Sequence, residues 1–226
     1  LMPYTFTDLD AMAKFADSPV AQFLNSKLEE KGVKNVAWLF ITNTSIFTSN
    51  DKPLIAPADF KGVKIRGLNK LVDSGLRALG AAPSAMSGSQ VYQALQTGVI
   101  DAGLTDVSAA YSRKYYEVQE YGTISPFFSV FFHLYVNPKW YDSLTDAQKD
   151  AIAKASASAE AKAMAATKES ASAAPDQLRE KGMKVHIMSP AEIDTIKAMT
   201  LPAFEQAFKE AAGDDAQKII DMLKQL

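Results

Sequence analysis

Apolar and polar positions along the chain recur at two periods, about 2 and about 3.6 residues, and these two rhythms mark out strands and helices. Val36-Ala37-Trp38-Leu39-Phe40-Ile41 is a nearly continuous apolar run of strand length, the pattern of a strand buried on both faces. Upstream of it, Asp8 or Asp10 is placed to cap a first helix through Ala11 to Phe15. A second helix, Pro19 to Lys31, ends at Gly32. The polar stretch Thr42-Asn43-Thr44-Ser45 and a loop around Asp51-Lys52-Pro53 follow the apolar run. Val63-Lys64-Ile65-Arg66 then alternates as a short strand and leads to a helix from Lys70 to Leu79, closed by Gly80. Ser87 or Ser89 starts the next helix, Gln90 to Thr97, and Gly98 stops it before a strand over Val99-Ile100-Asp101-Ala102. Ile124 to Val136 reads as a long β-rich segment containing Phe127, Phe128, Phe131, Phe132 and Tyr135. Short strands alternating with helices predict an α/β fold with a largely parallel sheet.

The segment after Leu144 is the most distinctive. Thr145-Asp146-Ala147-Gln148 has the form of a capping box, and no glycine occurs from there to Gly182. Twelve of the residues from Ala151 to Ala174 are alanine. Flexible linkers are rich in Gly, Ser and Pro, whereas alanine is the best helix former and is depleted in strands. The segment therefore predicts one helix from Thr145 to Arg179, about 50 Å long at 1.5 Å per residue, kinked or ended at Pro175. A helix of that length exceeds one small lobe and is expected to lie across two. A strand over Lys184-Val185-His186-Ile187-Met188 follows. Ser189-Pro190-Ala191-Glu192 then opens a helical closing stretch that breaks near Gly213.

Composition narrows the function classes. The 226 residues, 24.5 kDa, are enough for one large domain or two lobes. A net charge of −2 and a pI near 5.8 offer no basic field for nucleic acid or anionic lipid. No apolar run approaches the roughly 20 residues of a membrane span. The absence of cysteine removes disulfides, thiolate nucleophiles and cysteine metal sites. His133 sits in an aromatic run and His186 alternates with Val185 and Ile187, the settings of structural histidines. There is no phosphate-binding glycine loop, no G-x-S-x-G elbow and no zinc-type histidine pair, so neither a cofactor nor a metal is expected. Leu1-Met2-Pro3-Tyr4 has neither an initiating Met nor a basic leader. The expectation is that a leader and further residues precede it in the natural protein.

Arg66 stands apart from the other charged residues. It ends a short strand and is followed by Gly67, which lets the backbone turn closely past whatever the side chain faces. Ligands of open α/β sheets bind beyond the carboxyl ends of strands, and a guanidinium there can grip a carboxylate with two parallel hydrogen bonds. A surface or interlobe salt bridge is the alternative role.

Asp59-Phe60-Lys61-Gly62-Val63-Lys64-Ile65-Arg66, Leu79-Gly80-Ala81-Ala82-Pro83 and Val91-Tyr92-Gln93-Ala94-Leu95-Gln96-Thr97-Gly98-Val99-Ile100-Asp101 carry a family resemblance. With Tyr115-Tyr116-Glu117-Val118 and Trp140-Tyr141-Asp142-Ser143-Leu144, they resemble in order and spacing the solute-binding subunits of tripartite ATP-independent periplasmic (TRAP) transporters. This is the dicarboxylate-binding P-type family, and the resemblance covers essentially the whole chain. It implies two α/β lobes crossed by the long helix, with 1–43 and 132–171 in lobe I and 44–131 and 172–226 in lobe II. Part of lobe I would precede this sequence.

The resemblance also implies a monomeric, non-catalytic periplasmic protein that closes on a small organic acid and delivers it to a TRAP permease. By position, Arg66 matches the arginine that clamps the ligand carboxylate, and Asn69 and Thr105 fall at polar contact positions. The sialic-acid branch has an asparagine at the position of Thr105 and an aromatic near Gly88. Here Gly88 itself is the lining candidate, and sialic acid fits poorly. A second family arginine would fall near Ser45-Ile46-Phe47 and is missing, leaving Ser45 as the candidate there. One cationic clamp favours a monocarboxylate over a dicarboxylate. Phe128, in the phenylalanine-rich segment that returns across the pocket, is the candidate apolar wall, while Tyr92 is expected to brace its helix. Two other readings use the same clamp: an enzyme of organic-acid metabolism, and a sensor-coupled binding domain.

Overall fold

The computed structural model describes residue 4, residues 9–42 and residues 44–225, the side chains of 9–11 excepted. The expected caps at Asp8 and Asp10 lie outside those described groups. The chain opens with α1 (Leu9–Phe15) and α2 (Pro19–Glu30), then β1 (Lys34–Thr42) and β2 (Ser45–Ser49). There follow β3 (Lys64–Gly67), α3 (Lys70–Ala78), β4 (Ala82–Ala85), α4 (Gly88–Gln96), β5 (Gly103–Asp106), α5 (Val107–Ser112) and β6 (Tyr121–Ser125). The last elements are β7 (Val130–Val136), α6 (Pro138–Asp142), α7 (Asp146–Glu180), β8 (Lys184–Ile187), α8 (Pro190–Ala212) and α9 (Asp215–Leu223).

Two sheets organise these elements. β1 and β7 form an antiparallel pair in which Trp38 faces His133 and Phe40 faces Phe131. The larger sheet has the order β5-β2-β6-β8, and β3 joins it beside β5 through the Ile65–Ala102 bridge, with β4 outside β3. The expected parallel pairing holds for β3–β4 and β6–β8, but β2 runs antiparallel to both β5 and β6.

Side-chain alternation along β2 joins the two main cores. Phe47 packs with Phe60, Ile65, Leu104 and Phe127, while Ile46 packs with Val91, Val107, Tyr115 and Leu178 on the opposite face. A third cluster, Phe15, Val20, Trp38 and Ile219, lies under the β1–β7 pair.

Several boundaries differ from the sequence expectation. Val99–Ala102 is not a strand; Asp101 binds the backbone N–H of Lys64 through its carboxylate, and β5 starts at Gly103. The β-rich run from Ile124 breaks at residues 126–129, where Pro126 removes a donor. β1 is a strand but is half-buried at Val36, Leu39 and Ile41, since β7 is its one strand partner among the described residues. Side chains of α7 meet backbone groups of β1 instead: Glu160 accepts from the Trp38 N–H at 2.7 Å, and Thr167 donates to the Phe40 carbonyl at 2.9 Å.

The long helix α7 has the expected capping box at Thr145 and Gln148. It carries Pro175 inside rather than ending there, because Ala174 and Leu178, both fully buried, dock its last turns into the core beneath the larger sheet. It thus packs on β1 at one end and on α5 and β8 at the other.

The 59–66 motif is mostly architectural. Phe60 and Ile65 are core residues, and the Asp59 carboxylate accepts from the N–H groups of Ile55 and Ala56 and from the Lys52 ammonium. Partial burial works against its charge, but these hydrogen bonds outweigh it and hold the carboxyl below its usual range. Its contribution is therefore full above the unfolded value of about 3.9 and is lost as pH falls through the lower folded value. Asp59→Ala is expected to cost about 1 kcal/mol at neutral pH. Urea unfolding should show that difference shrinking below about pH 4, and a pH-independent difference would contradict this role.

Candidate functional site

A cavity of about 340 Å³ lies between the β1–β7 pair and the larger sheet. Its walls are Ile41 and Thr42 from the end of β1, Arg66 from β3, Thr105 and Asp106 from β5, and Arg113 just past α5. Phe128 and Val130 close it from the returning segment. The β3 and β5 strands point their carboxyl ends at this space, the position where α/β sheets place ligands.

Arg66 is 8% exposed and is fixed by the backbone: Nη1 donates to the Leu104 carbonyl at 2.9 Å, and Nε lies 3.4 Å from the Met86 carbonyl. No other hydrogen bond among the described residues engages its remaining donors. Among the described residues no carboxylate forms an ion pair with it. Burial lowers its pKa, the Arg113 charge adds to that, and Tyr115 opposes it. Arginine nevertheless stays charged. The expected close turn at Gly67 is real but serves a neighbour. A Cβ there would lie 2.6 Å from Asp73 Oδ1, whose carboxylate accepts from the Leu68 N–H.

Asn69, Thr105 and Phe128 line the same cavity as Arg66. The Asn69 side-chain oxygen caps α3 by accepting from Leu71 and Val72, and among the described residues no hydrogen bond engages its amide N–H groups. Thr105 Oγ1 accepts from Arg113 Nη1 at 3.2 Å, and Phe128 is buried at 3% exposure. Ser45 and Gly88 are not brought to the cavity wall. The Ser45 hydroxyl donates to the Ser125 carbonyl inside the sheet, and Gly88 lies under the Arg113 guanidinium. Tyr92 braces α4 by donating to Glu117 at 2.8 Å.

Arg113 is the residue that the sequence reading missed. The sequence expectation named one cationic clamp, and the cavity is lined by a second arginine as well. In sequence, Arg113 sits in the charged pair Arg113-Lys114, which looks like a solvated helix end. Only its return against Thr105 and Gly88 gives it a place in the cavity. Tyr115 lies close by; burial raises its phenol pKa, and the Arg66 and Arg113 charges lower it in part.

A larger cavity of about 660 Å³ lies under α2, α8 and the β1–β7 pair, with mostly apolar walls including Leu24, Trp38, Phe204 and Phe208. Its Lys27 is already paired with Asp215 at 2.9 Å and Glu30 at 3.3 Å. Among the described residues no group of three or more His, Asp or Glu is placed to hold a metal ion, and no helix is long and apolar enough to cross a membrane.

Two sheets joined by the β1–β2 and β6–β7 connections and by one long helix, with a cationic cavity between them, define a two-lobed solute-binding protein. The chain belongs to family 7 of the bacterial extracellular solute-binding proteins, the DctP family, whose model matches residues 1–211. It is 31% identical over 219 residues to the C4-dicarboxylate-binding periplasmic protein DctP of Rhodobacter capsulatus, covering 96% of this chain and 63% of that protein. It thus spans less than two thirds of that relative's length. A TRAP periplasmic solute-binding protein from Rhodoferax ferrireducens with bound malonate superposes with a TM-score of 0.89 at 25% identity, over 99% of this chain and 71% of the other. A TRAP periplasmic solute-binding protein from Desulfovibrio salexigens with bound orotic acid gives a TM-score of 0.91 at 23% identity, over 99% of this chain and 72% of that one.

Proposed function

We propose that this chain is the ligand-capturing part of a TRAP transporter. It binds a small organic acid in the periplasm, without turnover and as a monomer, and delivers it to the membrane permease subunits. The observation that carries this reading is Arg66, a nearly buried guanidinium without a carboxylate partner among the described residues. A charge taken out of water is costly unless it is paired, so the site is built to receive an anion. A carboxylate accepts two parallel bonds from the free edge of Arg66. The Asn69 amide reaches a second oxygen of the ligand, and Phe128 covers its carbon skeleton.

Lobe I comprises 1–43 and 132–171, and lobe II comprises 44–131 and 172–226. The cavity walls then come from both lobes, with Ile41 and Thr42 on one side and Arg66 and Thr105 on the other. A ligand touching both sides favours the closed state over the open one, which is the whole of the mechanism. The nearby carboxylate of Asp106 supports binding rather than catalysis. Its Oδ1 accepts from the Ser108 and Ala109 N–H groups to cap α5, so it is engaged as a structural acceptor.

A thermal-shift screen tests the reading. Mono- and dicarboxylates, amino acids and neutral sugars are added to the full chain. An acid at a hundred times its Kd should add about 2.7 kcal/mol of stability. Stabilisation by neutral sugars and by no acid would refute the carboxylate reading. Steady consumption of an acid, followed by chromatography, would make the protein an enzyme.

A further inference from the structure

The reading above leaves the second cation of the cavity without a role. Arg113 follows the last turn of α5 and is exposed at the cavity mouth, while Arg66 sits at its base. Two neighbours fix its guanidinium. Thr105 Oγ1 accepts from Nη1 at 3.2 Å, and Gly88 lies flat beneath it. A Cβ built on Gly88 would stand 2.6 Å from Nη1 and 2.7 Å from both Cζ and Nη2. Three such similar distances mean that the guanidinium turns its face, not its edge, to the glycine. Any side chain at position 88 would push it away.

Neither arginine has an ion-pair partner among the described residues, and each opposes the other's charge. Two like charges held on one cavity wall are unfavourable until an anion bridges them. The Asp106 carboxylate lines the same cavity but is turned to the start of α5.

We propose that Arg113, seated on Gly88 and held by Thr105, is a ligand-binding residue that sets specificity for acids bearing a second anionic group. One carboxylate lies on Arg66 and the other on Arg113. Thr105 acts as a positioning residue for Arg113. The proposal rests on Arg66 being the first clamp.

The test uses the full chain and calorimetry with malonate, succinate, glutarate and adipate, each paired with its monomethyl ester. The ester keeps the skeleton and removes one charge. In the wild-type protein at least one diacid should bind about tenfold or more tightly than its ester, the scale of one charge-assisted contact. In Arg113→Met and in Gly88→Ala that ratio should fall below about threefold, because the diacid weakens more than its ester.

Gly88→Ala is the more informative variant, because it displaces only the flexible end of Arg113 and places a better helix former at the first residue of α4. Arg113→Met carries the test on its own if Gly88→Ala lowers the ligand-free melting temperature. A wild-type protein without diacid preference, or a preference that survives Arg113→Met, would overturn the proposal. Arg66→Ala separates the two readings: it should weaken diacids and esters alike. If it leaves both unchanged, the Arg66 clamp fails, and with it this proposal. If it weakens both while Arg113→Met changes nothing, Arg113 alone is refuted.

Discussion

Arg66→Ala is expected to weaken carboxylate binding a hundredfold or more on the order-of-magnitude scale of charged hydrogen bonds, about 1.5–3 kcal/mol each in net terms. Two such bonds are lost together, and every 1.4 kcal/mol or so is a factor of ten. The loss is large because Arg66 is pre-set: the Leu104 and Met86 carbonyls orient the guanidinium before ligand arrives, so little ordering remains to be done on binding. Arg66→Lys should recover only part of the affinity, since an ammonium keeps the charge but cannot present the planar fork. Ligand-free stability should change much less than affinity. Calorimetry on both variants checks this, and near-wild-type affinity for Arg66→Ala would end the assignment.

The second large effect is on folding. Phe127 is fully buried, with its ring edge-on to Phe47 at 5.1 Å and to Tyr4 at 5.5 Å. Its carbonyl also accepts from the Tyr4 N–H, and the Tyr4 hydroxyl lies 3.2 Å from Ser125 Oγ. Burial pushes the Tyr4 phenol up to about 12, the mark of a well-enclosed ring. Phe127→Ala is expected to cost about 3–5 kcal/mol, because the cavity is walled by sheet residues that cannot collapse into it. For a chain of this size the melting temperature should fall on the order of 10 °C. Binding should weaken as well if ligand enters the cavity beside Arg66, because Phe128, the next residue in the chain, lines that cavity. Met199→Ala, at an exposed site, serves as the control and should stay within about 0.5 kcal/mol. Calorimetric melting that shows equal, small losses for both variants would contradict this account.

The readable parts of the fold are those whose cause is local. Alanine content and the Thr145 capping box define α7 wherever it ends up packing. The Ser189-Pro190-Glu192 start of α8 and its stop at Gly213 are likewise local chemistry. β2 was not legible: Ser45, Thr48 and Ser49 give it the composition of a loop, yet all five of its residues are buried at the centre of the sheet. Strands on both sides satisfy its backbone, and two separate cores cover its two faces. Packing also decided what becomes of Pro175: the buried Ala174 and Leu178 dock the last turns of α7 into the core, and the helix continues past the proline to Glu180.

The site divides along the same line. By itself the sequence determined that the chain is α/β, that it resembles a solute-binding family, and that Arg66 stands at the end of a short strand. Each of these follows from neighbours in the chain. The tertiary structure alone decided that Asn69, Thr105 and Phe128 share a cavity with Arg66, and that Ser45 and Gly88 do not line it. It also decided that a second arginine stands at the mouth. Hydrophobic periodicity records which face of an element is covered but not which element covers it. The place of Arg113 depends on the missing Cβ of Gly88 in another helix, a contact that no local pattern encodes.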